Sequence, residues 1–393
     1  MLRILTSGES HGLGLTAIID GFPLGIMFDE AFINAKLEQR QKGFGRSKRM
    51  RIETDIVHCL SGVSNGFTTG NPITLFIENK DYKNSFKSHK EFSIPRPGHA
   101  DYAASCKFQI ENLQNISERA SARMTAMTVA VGSLCEIFLQ NFGVSIIGSV
   151  TQIGSVSIDD KDADFVDFER LNKNVYQSLV RCSSAEASKK MIAAIQEAKK
   201  KNDTLGGIFQ VRSYHVIPGL GGFNQLENRI DGILGQAILS IPSVKGVLFG
   251  NILETHAMYG SRAHDPIMFD SAAQDIYRPS NHAGGIEGGI TNGEKIIITG
   301  YVKPINTLPK GISSVDLKTA EQKKAPYFRS DVCAVPAISV IAEAQIALEL
   351  ARLYLERFGS VHLAEIKKNF NDYKQWLNTR FRKIDDTDSD NTI

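Results

Sequence analysis

Apolar residues alternate with polar ones, or run unbroken, in several short stretches that read as strands. Leu2–Thr6 runs into Gly8-Glu-Ser-His-Gly12, and a second strand follows near Leu15–Asp20. Ile73–Ile77, Ile208–Val216 and Ile296–Val302 carry the same signal. Elsewhere the period lengthens to that of a helix. Asp29 can cap one through about Gln39, with Phe32, Ala35 and Lys36 on one side. Met124, Met127, Val131, Leu134, Cys135 and Phe138 predict a strong helix over Ser121–Phe142, ended by Gly143. Ser183-Ser-Ala-Glu186 has the form of a capping box before a helix that runs to Lys199-Lys-Lys201. Further helices are predicted at Leu226–Leu239, Val335–Phe358 and about Leu363–Leu377.

Strands and helices come in mixed order, without βαβ alternation, so the pattern predicts an α+β fold and not a doubly wound parallel sheet. No linker divides the chain, and residues 1–380 are expected to form a single domain. The acidic tail, 381–393, is expected to be disordered. Gly70-Asn-Pro-Ile-Thr-Leu-Phe-Ile and Gly293-Glu-Lys-Ile-Ile-Ile-Thr each place a turn before a strand, a weak internal echo that chance explains equally well.

Composition narrows the class. At 393 residues, 42% hydrophobic and 22% charged, the chain can bury a sizeable core, and a net charge of +2 gives no global field toward nucleic acid or membrane. Five scattered cysteines, with no Cys-x-x-Cys pair, argue against disulfides and against a metal site. No signal peptide and no run of about 18 apolar residues is evident, so the expected location is the cytoplasm, with no membrane partner.

Candidate chemistry lies in the loops. His11 follows a strand end between glycines, where an imidazole can act as acid or base; the same pentapeptide also suits a tight turn with a surface histidine. From Lys36 to Arg51 there are seven basic residues and one acid, Glu38. Such crowding is repulsive unless an anion neutralises it, and the forked guanidinium suits carboxylate or phosphate. A solvated basic face or a nucleic-acid patch remain alternatives. Arg96-Pro-Gly-His99-Ala-Asp101 puts a histidine beside an arginine and a carboxylate. Arg119-Ala-Ser-Ala-Arg123 opens a helix whose first turn can take an anion, or Ser121 is simply its cap. Asn281–Gly293 holds five glycines but matches neither a Walker nor a dinucleotide fingerprint.

In this order, Gly8-Glu-Ser-His-Gly12, Arg46-Ser-Lys-Arg49-Met, Leu60-Ser-Gly-Val63, Arg96-Pro-Gly-His-Ala-Asp101, Arg119-Ala-Ser-Ala-Arg123, Ser240-Ile-Pro-Ser-Val-Lys-Gly246, Asn281-His-Ala-Gly-Gly-Ile-Glu-Gly-Gly289 and Lys303-Pro resemble the chorismate synthase family over about residues 1–350. The resemblance implies a helical layer sandwiched between antiparallel β-sheets, usually in a homotetramer. It implies conversion of 5-enolpyruvylshikimate-3-phosphate to chorismate by loss of phosphate and a ring hydrogen, with reduced FMN and no net redox change. By the same analogy His11, His99 and Asp331 are catalytic. Arg40, Arg46, Arg49, Arg96, Arg123 and Arg329 bind the substrate. Arg46, Ser121, Ala122, Arg123, Gly288, Lys303, Thr307 and Arg329 hold the flavin. No nicotinamide fingerprint is seen, so an external flavin reductase or other supply of reduced flavin is expected. Two departures stand out: Met124 and Ser330 replace the family's usual glutamate and histidine. A degenerate relative that binds flavin or anions without catalysis, an NAD(P)H-oxidising flavoenzyme, and a non-catalytic RNA- or anion-binding protein are the rival readings.

Overall fold

In the computed structural model the described residues are 2–46, 54–80, 82, 92–158, 168–272, 275–328 and 330–380. The expectations for Arg49, Arg329 and the tail lie outside them.

Two antiparallel sheets frame the molecule. The first joins β1 (Arg3–Gly8), β2 (Gly14–Asp20), β3 (Val57–Ser61) and β4 (Ile73–Glu78) in the spatial order β1-β2-β4-β3. The second joins β5 (Ser145–Ile153), the short β6 (Val156–Ser157), β7 (Gly207–Tyr214), β8 (Val244–Phe249) and β9 (Ile296–Val302) in the order β8-β9-β7-β5-β6. With the short β6 set aside, each sheet repeats one plan, in which the first, second, fourth and third strands to be made lie side by side. The two echoing segments, Gly70–Ile77 and Gly293–Thr299, supply β4 and β9, which are the fourth strand of each set.

The helices repeat as well. Between second and third strands stand α1 (Glu30–Gln41) in the first set and α7 (Ile230–Leu239) in the second. After the fourth strands come the two core helices, α4 (Thr125–Gln140) and α8 (Val335–Phe358). Further helices are α2 (Asp101–Phe108), α3 (Gln114–Arg119), α5 (Phe168–Gln177), α6 (Ala185–Lys200) and α9 (Leu363–Thr379), with one-turn helices at Ile252–Thr255 and Gly260–Ala263. The inward residues of β2 and β4, including Leu15, Ala17, Ile19, Leu75 and Ile77, are fully buried beneath this helical layer and form one core with α4 and α8. Burying such side chains contributes about 1.5–3 kcal/mol each.

Glycines set the spacing of the layer. A Cβ on Gly132 of α4 would sit 2.4 Å from the Ala344 Cβ and carbonyl oxygen of α8, and one on Gly148 of β5 would sit 2.3 Å from the Ser339 carbonyl oxygen. Four charges are sealed at the same crossing. Lys36 reaches Glu136 at 2.9 Å and Glu343 at 3.1 Å, and Arg181 also pairs with Glu343. Burial works against the Lys36 charge, but the two carboxylates outweigh it and hold its pKa above the ordinary lysine value.

Several boundaries differ from expectation. The α-helix predicted from Ser121 starts at Thr125, because Arg40 Nη2 and Thr125 Oγ1 both donate to the Ala122 carbonyl, at 3.0 and 2.6 Å, and Ala122–Met124 forms a 3₁₀ turn. Leu226–Asn228 is likewise a 3₁₀ turn ahead of α7. The capping box does not close: Ser184, not Ser183, caps α6, which shifts Glu186 out of register to pair with Lys190. The stretch Gln114–Gln140 has the length and mean hydropathy of a membrane span without being an unbroken apolar run, and 83% of its apolar window is buried inside the protein, as suits a core helix.

Candidate active site

β1 ends at Gly8, whose φ of +109° and close approach to the Gly14 carbonyl (2.4 Å from a hypothetical Cβ) leave room for glycine alone. The loop beyond is pinned by Asn79, whose Nδ2 donates to the Glu9 and Gly12 carbonyls at 2.9 and 2.8 Å. His11 emerges from this loop, its side chain about one-third exposed at 34%. Glu118 of α3 holds it twice: Oε2 accepts from the His11 backbone N–H at 2.7 Å, and Oε1 lies 2.8 Å from Nδ1. Gln114 donates to the same Oε1 at 2.8 Å. Ser121 Oγ donates to Ser10 Oγ at 3.1 Å, tying the loop to the Arg119–Arg123 segment.

A buried chain of charges leads away from the loop. Asn79 Oδ1 accepts from Arg123 Nε at 2.8 Å, and Arg123 Nη1 donates to Asp55 Oδ1. The other Asp55 oxygen accepts from Arg40 Nη1 at 3.1 Å. The Arg40 carbonyl accepts from Arg46 Nη2 at 3.3 Å, and Arg46 Nη1 donates to Asp331 Oδ2 at 2.5 Å. The His11 loop and Asp331 thus terminate one continuous polar network. Burial, and the positive charges of Arg46 and Arg123, bring the Arg40 pKa down to about 10 against the opposing pull of Asp55.

His99 belongs to a second cluster. Arg96 Nε and Nη2 bind the two Asp101 oxygens at 2.7 and 2.9 Å, and Nη2 also donates to Ser117 Oγ at 2.8 Å. His99 Nδ1 is 2.5 Å from Asp101 Oδ1. The guanidinium lies over the Phe328 ring, 4.8 Å from its centroid. Lys303 Nζ donates to the Gly98 carbonyl at 2.5 Å, which brings the 303–307 segment against the His99 loop. Burial and nearby Lys245 lower the Lys303 pKa. Ser330 Oγ donates to the Thr307 carbonyl at 3.0 Å, and Arg119 Nη1 lies 3.1 Å from Met124 Sδ, so both departing residues contact a site segment.

The network joins His11, Ser121, Arg123, Arg40, Arg46 and Asp331. The second cluster joins Arg96, His99, Lys303, Thr307 and Ser330. Consecutive residues of α3 bridge them, since Ser117 meets Arg96 and Glu118 meets His11. Ala122 touches Arg40 through its carbonyl. Gly288 has a φ of +61° and no heavy atom within 4 Å of a hypothetical Cβ, so its backbone faces open space. Asp55, Asn79, Gln114, Ser117 and Glu118 were not foreseen. The repulsion argument for the basic loop assigned its neutralising charge to a ligand, whereas Asp55 and Asp331 provide part of it internally. Among the described residues no group of three or more His, Cys, Asp or Glu is placed to hold a metal ion.

Two imidazoles, each backed by a carboxylate, and a run of guanidinium groups are thus set in a duplicated sheet framework. The sequence model of the family described as chorismate synthase matches residues 2–355. The chorismate synthase of Geobacter metallireducens is 44% identical over 393 residues, covering 96% of this chain and 99% of that protein. That of Desulforamulus reducens is 43% identical over 387 residues, with 96% and 99% covered. A crystal structure of a chorismate synthase superposes with a TM-score of 0.79 at 37% identity, covering 96% of this chain and 98% of that chain. The chain belongs to the chorismate synthase family, a family of enzymes.

Proposed function

We propose that this chain is a lyase that eliminates phosphate and a ring hydrogen, in a trans-1,4 sense, from 5-enolpyruvylshikimate-3-phosphate to give chorismate, the last step of the shikimate pathway. The observation that supports the reading is the continuous network that links the loop of the proposed acid, His11, to the Asp331 carboxylate through a run of guanidinium groups. A substrate with two carboxylates and a phosphate suits such groups.

Two buried polar atoms support a bound cofactor: Asn306 Nδ2, between Lys303 and Thr307, and His282 Nδ1, in the glycine-rich segment, find no partner among the described residues. Both lie in segments assigned to flavin, and a ligand rich in hydrogen-bonding atoms satisfies them. Ser121, Ala122, Arg123, Arg46, Gly288, Lys303 and Thr307 would hold FMN. Bound there, reduced FMN would supply transient electron density to the reacting ring. His11 delivers a proton to the leaving phosphate, His99 holds a proton beside the flavin, and Asp331, fixed by Arg46, serves the hydrogen-transfer end of the site. Arg40, Arg96 and Arg123 contribute mainly as buried cations locked to Asp55 and Asp101; Arg46, Arg49 and Arg329 complete the anion ligands of the assignment.

The same reading includes a single catalytic unit over residues 1–380, a homotetramer in the cytoplasm, an external reduced-flavin supply, and no nucleic-acid or membrane partner. The degenerate alternative finds no support in a site whose His11, His99 and Asp331 are all held in place. An anaerobic assay with 5-enolpyruvylshikimate-3-phosphate and chemically reduced FMN tests the proposal. Equal amounts of chorismate and phosphate, without net flavin oxidation, are expected; folded protein that forms neither product overturns it.

A further inference from the structure

His11 and His99 lie on different segments, yet both turn the same ring nitrogen to a carboxylate. Glu118 grips the His11 backbone N–H and Nδ1 with separate oxygens, at 2.7 and 2.8 Å, so it sets the direction of the ring as well as its proton. A carboxylate oxygen has only acceptor capacity, so the short contact requires the hydrogen to lie on Nδ1.

At His99 the contacts alone admit two arrangements. Nδ1 is 2.5 Å from Asp101 Oδ1 and 3.0 Å from Arg96 Nη2, so it could donate to the first or accept from the second. The hydrogen inventory decides. Nη2 carries two hydrogens, and Asp101 Oδ1 at 2.9 Å and Ser117 Oγ at 2.8 Å take both. A bare ring nitrogen facing a carboxylate oxygen at 2.5 Å would be repulsive, whereas a proton between them makes the contact attractive. Burial would push the Asp101 carboxyl up, but the bonds from Arg96 and His99 outweigh it and hold the group well below the usual carboxylate range, so the acceptor stays ionised.

We propose that Glu118 and Asp101 are positioning residues that fix both histidines as the Nδ1–H tautomer, so that protons leave each ring through Nε2, with α3 as the common brace. The inference rests on the assignment of His11 and His99 as the proton-handling groups. Each imidazolium loses its Nε2 proton to the acceptor and remains a neutral Nδ1–H ring, still bonded to its carboxylate, so no second proton needs to move.

Neutron diffraction from crystals of the deuterated protein at alkaline pH reads the tautomer without reference to turnover. Deuterium on Nδ1 of both neutral rings is expected; deuterium on Nε2 with bare Nδ1 at either ring overturns the inference. Glu118→Gln turns an amide toward His11, and is expected to remove the Nδ1 deuterium there while leaving His99 unchanged. The same variant should lower kcat roughly 10–100-fold with KM for 5-enolpyruvylshikimate-3-phosphate altered less than about twofold. An unchanged kcat overturns the role of Glu118. If the variant does not fold, the wild-type diffraction still decides. Full turnover by His11→Ala would instead remove the proton-donor assignment, a failure distinct from a wrong tautomer.

Discussion

Arg40 and Asp55 meet across 3.1 Å with both side chains sealed from solvent, and Asp55 spends its other oxygen on Arg123. One carboxylate thus answers two guanidinium groups, and its loss would leave both buried with less compensating charge. Asp55→Asn is expected to destabilise the fold by about 3–5 kcal/mol, the usual consequence of stranding a buried charge. Urea denaturation measures it, and a loss below about 1 kcal/mol would mean that water reaches the two guanidinium groups after all.

His11→Ala and His99→Ala should each lower turnover roughly 10²–10⁴-fold in the reduced-flavin assay while the protein stays folded. Near-normal turnover in either variant would remove that histidine from proton transfer.

Lys36→Met leaves Glu136 and Glu343 facing each other across the core without the cation that both contact. A loss of about 3–5 kcal/mol is expected near pH 8. The deficit should shrink with acidification. Burial first, and the Glu343 charge with it, already raise the Glu136 pKa in the intact protein, and removing Lys36 raises it further. A carboxyl with a raised folded-state pKa takes up its proton in the fold before it does in the unfolded chain, so stability rises as pH falls toward 5. Denaturation midpoints at pH 8 and pH 5 check the sign; a deficit that grows on acidification contradicts it.

Gly132→Val places methyl groups where the Ala344 backbone already stands, 2.4 Å from the new Cβ. Forcing α4 from α8 should cost about 1–3 kcal/mol or more, read as a lowered thermal midpoint. Combination with Ala344→Gly, which removes the opposing Cβ, should recover part of the loss.

Thiol labelling of the native protein should find Cys106, the exposed cysteine, first. Cys135 and Cys333 are buried, and burial pushes both thiols up to about 12, so they should resist iodoacetamide until the protein unfolds. Mass spectrometry of labelled peptides distinguishes the two classes; rapid modification of Cys135 would mean that the core opens at α4.

The long apolar helices were legible because their period survives the whole of α4 and α8. The strands Ser145–Ile153 and Val244–Phe249 were not, since glycine, serine and lysine interrupt their alternation. α2 and α3 are too short to show a period. The start of α4 was misplaced because a tertiary contact, Arg40 on the Ala122 carbonyl, overrides the local helix signal. At the site, histidines and arginines announce themselves beside glycines and prolines. Their carboxylates do not: Glu118 stands 107 residues from His11 and lies in a segment with no polarity pattern to mark it. A sequence shows which groups could carry a charge more readily than which buried group answers it.

The repeated strand order has a mechanical consequence. Residues 2–143 and 144–358 each supply one sheet and one core helix, and the two core helices, α4 and α8, cover each other. The chain is in effect an intramolecular dimer, with the bend at Gly143 (φ +81°) as its tether. Tethering replaces a concentration-dependent docking event with a local one. A backbone nick there should leave the halves associated through the α4–α8 seam, where the charges of Lys36, Glu136, Arg181 and Glu343 act as the recognition code between them.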